Sequence, residues 1–130
     1  MEITKVITPY FEYGTFAGVR VCVGDEDFVI APKDYVDVAV TWEYVEKILE
    51  EDGISTWDYR QACFTIAFQD EINNVLEANG GDALAYYWTC TRADGTEMYI
   101  HGNKHLTTCT DNWTCFLRAV INLKLFPTCS

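Results

Sequence analysis

A chain of 130 residues, 49% apolar and 15% aromatic, is long enough to bury a core as one domain and too apolar to stay disordered. Twenty acids face nine bases, a formal charge of −11. That balance argues against direct nucleic-acid binding and against anionic membrane surfaces.

In chain order, residues 3–31 read as β structure. Residues 3–7 form a short first strand closed by Pro9, and residues 10–16 a second, with Gly14 and Gly18 marking turns or bulges. Residues 19–23 alternate, which puts Arg20 and Cys22 on one face and the valines on the other. Gly24-Asp25-Glu26-Asp27 reads as a tight turn into residues 28–31, so this pair makes a hairpin. Thr41 caps a helix over 41–52, with Trp42, Val45, Ile48 and Leu49 inward and Gly53 as its stop. A long helix over 56–79 follows, capped by Ser55 or Thr56 and stopped by Asn79-Gly80-Gly81. Trp57, Phe64, Phe68, Ile72, Val75 and Leu76 form its apolar stripe. The two helices are expected to pack as a helical hairpin. Residues 84–101 read as an aromatic β-hairpin turning at Asp94-Gly95. Asp111 then opens a last helix over 111–125, ended by Pro127. The pattern predicts a single α+β domain over residues 1–130, an antiparallel sheet of about 4–6 strands covered by helices.

The N-terminus, Met1 to Lys5, lacks the basic and apolar regions of a signal peptide, and no apolar run is long enough to cross a bilayer. A cytoplasmic protein is expected. In that setting the six cysteines are expected to be mostly reduced rather than paired, with Cys22, Cys63 and Cys90 acting as small buried hydrophobes.

Four groups of residues could carry chemistry. Up to Gly53, twelve acids meet four bases, so that segment holds −8 of the total charge. On the 41–52 helix, Glu43, Glu46 and Glu50 share a stripe opposite the apolar face, spaced about 5–6 Å per turn. Asp25, Glu26 and Asp27 add to it. Carboxylates held at such spacing imitate a line of phosphates and can fill a basic groove. Read blandly, the same stripe is a solvated face that keeps the protein soluble. The second group is His101-x3-His105-x3-Cys109-x5-Cys115, four zinc-type ligands within 15 positions but without the spacing of a standard finger. A cysteine nucleophile beside a histidine is the third, with no local signature behind it. Nor does the chain hold a phosphate loop, a nucleophile elbow or a zincin motif, so nothing supports an enzyme. Tyr86, Tyr87, Trp88 and Tyr99 are the fourth; Tyr86 and Trp88 alternate onto one face and suit interface anchors, or else pack under helices.

In size and charge the chain is similar to small acidic inhibitors encoded by phages and mobile elements, such as anti-restriction and anti-CRISPR proteins. The leading expectation is a non-enzymatic nucleic-acid mimic that blocks a basic partner, a nuclease or other nucleic-acid-binding protein. It would bind through Asp25, Glu26, Asp27, Glu43, Glu46, Glu50, Tyr86 and Trp88, with no cofactor. The rival is a small-molecule-binding domain or small enzyme with a pocket between sheet and helices.

Overall fold

Two tight turns set the N-terminal sheet of β1 (Lys5–Glu12), β2 (Thr15–Val23) and β3 (Glu26–Ile30). Between Glu12 and Thr15, Tyr13 (φ 53°) and Gly14 (φ 80°) are both left-handed, the signature of a two-residue turn whose twist suits a hairpin. Between Val23 and Glu26 the left-handed residue is Gly24 (φ 59°). Because that loop is only Gly24-Asp25, Glu26 and Asp27 belong to β3 and not to the turn. Nor does β1 close at Pro9; it runs on to Glu12. An edge strand is the place in a sheet where proline's missing donor need not cost a ladder hydrogen bond. At Gly18 (φ 140°) the register slips, and a Cβ there would lie 2.2 Å from the Ile30 carbonyl oxygen. Only glycine fits that crossing. Val19, Val21 and Val23 turn inward as the alternation predicts.

The computed structural model of the protein describes residues 5–85, 87–93, 96–101, 105–109 and 114–123; for Tyr59, 90–93, 96–101 and 105–109 the description is of the backbone.

Helix α1 (Trp42–Asp52) matches expectation, with the Thr41 side chain accepting from the Tyr44 N–H and Gly53 (φ 65°) as its left-handed stop. The long helix over 56–79 does not form as one piece. Ser55 Oγ and Thr56 Oγ1 instead donate to the carbonyls of Val120 and Arg118, both at 2.8 Å. Asp58 caps α2 (Tyr59–Ala67) through a capping box with Gln61. Phe68 (φ −116°, ψ 27°) then separates α2 from α3 (Gln69–Ala78). Along one straight helix Ile72 would sit about 80° round from Ala62. The break lets both reach the same core, where each is fully buried.

Strands β4 (Tyr87–Ala93), β5 (Thr96–His101) and β6 (His105–Cys109) form a second, three-stranded antiparallel sheet. The expected helix over 111–125 is corrected for residues 114–123; 111–113 and 124–125 lie outside the described residues. Val120–Asn122 is a strand, β7, paired antiparallel with β3 through Ile30↔Val120 and Phe28↔Asn122. Just before it, Cys115 bridges Val40, and Phe116 bridges Tyr87. An apolar run buried on several sides reads equally well as helix or strand, and here β3 offered an edge that only an extended segment could cover. The result is a four-stranded sheet in the order β1-β2-β3-β7 beside the second sheet.

The core lies in two clusters. One holds the inner valines of β2 with Phe28, Ile30, Trp57, Ile72, Leu76 and Tyr87. In the other, Trp42, Val45 and Ile48 of α1 meet Trp88, Cys115 and Leu117. The buried residues of α1 and α2 serve different clusters, with Trp42, Val45 and Ile48 of α1 in one and Ala62 of α2 in the other. Among the described residues no helix is long and apolar enough to cross a membrane.

Candidate functional site

The acid-rich face is built on α1. Its inner side is anchored by Trp42, whose ring centroid lies 5.7 Å from that of Trp88, and by Val45 and Ile48. Amphipathic spacing then leaves Glu43, Tyr44, Glu46, Lys47, Glu50 and Glu51 exposed on the opposite side, and Asp52 is exposed at the helix end. Glu43 in the first turn complements the helix dipole. Glu50, Glu51 and Asp52 do the reverse: they crowd the negative end, and the last turn holds no basic residue. Tyr35 donates to Asp52 Oδ2 at 2.6 Å, a bond that holds the phenol proton more tightly than usual.

Charge compensation separates the two acidic groups. Asp27 is paired with Arg20 at 2.6 Å, and Arg60 reaches Asp25 at 3.0 Å and Glu26 at 3.3 Å. Glu26 is only 1% exposed, because the short turn draws it into β3. It is therefore withdrawn from any surface. No ion pair described in the structure involves Glu43, Glu46, Glu50 or Glu51.

The aromatic candidates divide. Trp88 is 0% exposed and donates through Nε1 to the Val40 carbonyl at 2.7 Å, so it supports α1 from inside and is no anchor for a partner. Tyr86 lies outside the described residues. Among the described residues the exposed large aromatic side chains are Tyr35 and Tyr44 beside the acidic face, and Phe11 and Tyr13 at the far end of the β1–β2 hairpin.

The zinc candidates do not converge. His101 and His105 stand opposite each other across the β5–β6 ladder, but Cys109 lies four residues beyond His105 along β6. An extended strand puts such positions about 13 Å apart, too far to share an ion whose bonds are about 2.0–2.3 Å. Cys115 is buried in the α1 cluster. Among the described residues no group of His, Cys, Asp and Glu is placed to hold a metal.

Sequence reasoning passed over Arg118, fully buried just ahead of β7. Its guanidinium donates to Asp34 Oδ1 at 3.0 Å, Tyr87 Oη at 2.9 Å and the Asp82 carbonyl at 2.8 Å. Tyr87 in turn donates to Asp34 Oδ1 at 2.5 Å. Burial pushes the Tyr87 phenol above its ordinary pKa; the nearby Arg118 charge opposes this and the bond to Asp34 adds to it. The signal was one arginine in an otherwise apolar run. A groove of about 360 Å³ lies nearby, lined by residues 53–55 and 119–122, largely apolar and without a Tyr, Trp or His.

Comparison with protein-family models, curated proteins and solved structures found no match for this chain.

Proposed function

We propose that the exposed face of α1 is a docking surface for a basic protein that handles nucleic acid, a nuclease or similar factor, and that this chain inhibits it by occupying its phosphate-binding groove. The observation behind this reading is the contrast in compensation. Acids on the β2–β3 hairpin are neutralised within the fold, whereas among the described residues no ion pair reaches Glu43, Glu46, Glu50 or Glu51 of α1. Three acids are also kept at the helix end where they are least favourable. Local rules are broken most often where function requires it. Docking assigns Tyr35 and Tyr44 to contacts beside the charges, replacing Trp88. The reading assigns no catalysis and no cofactor, and sets the encounter in the cytoplasm.

Reversing Glu43, Glu46 and Glu50 to Lys tests it. All three side chains are exposed, so circular dichroism and the melting temperature should change little. Wild type immobilised in host lysate should retain a basic protein that the triple variant loses and that added DNA oligonucleotide displaces. With that protein purified, association should slow in the variant, and raising salt should slow wild type more, since exposed charges are screened over about 8–10 Å at 0.1–0.15 M. Equal retention and equal rates would reduce the stripe to a solubility feature.

The 53–55/119–122 groove favours a second reading, a small apolar ligand, because its volume lies within the roughly 300–1,000 Å³ typical of ligand sites. A thermal shift with an apolar compound, abolished by Ile121→Arg, would support it over docking.

A further inference from the structure

We draw no further inference here: the strongest candidate, the exposed aromatic end of the β1–β2 hairpin around Phe11 and Tyr13, is an unpartnered apolar surface, and nothing in the structure shows what covers it.

Discussion

Arg118 fixes more of the molecule than any other single side chain described. One guanidinium joins the loop after β3 (Ala31 and Asp34), the loop before β4 (Asp82) and Tyr87 of β4 itself. A buried charge is tolerable only while its donors are used, and here Asp34 supplies the opposite charge. Arg118→Met keeps the length and removes the charge, leaving Asp34 with the Tyr87 hydroxyl but no counter-charge, and the Tyr87 oxygen without its guanidinium donor. The expected cost is about 3–5 kcal/mol, read as a lower urea midpoint at unchanged slope. Tyr87 adds a pH dependence. Its folded-state pKa is raised above the ordinary phenol value of about 10, so the native state favours the neutral form. That stability is complete below about pH 10 and is lost as pH climbs above it. Tyr87→Phe should be less stable at pH 7, having lost two hydrogen bonds, yet lose less stability than wild type between pH 10 and 11.5. Parallel alkaline curves would refute the assignment.

At the scale of elements, helix faces are set by what covers them. Cys63 is expected from sequence to be a small buried hydrophobe, yet it is exposed on α2. The buried side of α2 carries Gln61, Ala62 and Thr65, and Cys63 is turned outward. Cys115 is the opposite case, enclosed by the α1 cluster. Maleimide should therefore label Cys63 in the folded protein within minutes and Cys115 only after unfolding, as peptide mass spectrometry can resolve. Labelling of both at one rate would mean that the α1 cluster opens readily. α1 itself owes its position to Trp42, Val45 and Ile48, so its acidic side is free to vary without loss of packing.

At the scale of the molecule, much of the α+β architecture was legible, for reasons that differ by region. The β2 strand alternates because one face is buried, and α1 carries a cap, a stripe and a glycine stop that agree with one another. The errors share a cause, burial on several sides. The 115–121 run and the 57–76 stripe are apolar at too many positions for one period to win, so tertiary partners decided between helix and strand and between one helix and two. The acidic helix face could be read directly from spacing. What could not be read was compensation, since the pairing of Asp25 and Glu26 with Arg60 joins residues far apart in sequence. Trp88 was misplaced for the same reason, its cover coming from α1 and from residues 115–117.

The place of β7 makes the folding of this sheet uneven in time. β1, β2 and β3 are joined by two-residue turns and can zip together locally, on the microsecond scale of hairpins. Their outer edge at β3 waits for a strand that arrives much later in the chain, as does Asp34, whose partner Arg118 is 84 positions away. Closing so long a loop is slow, and until it closes Phe28, Val29 and Ile30 present an open apolar edge to any other unfinished chain. Refolding from urea should accordingly lose yield as protein concentration rises. Light scattering should grow before the tryptophan fluorescence of the α1 cluster reaches its native value. A yield independent of concentration would mean that β7 docks before neighbouring molecules can meet.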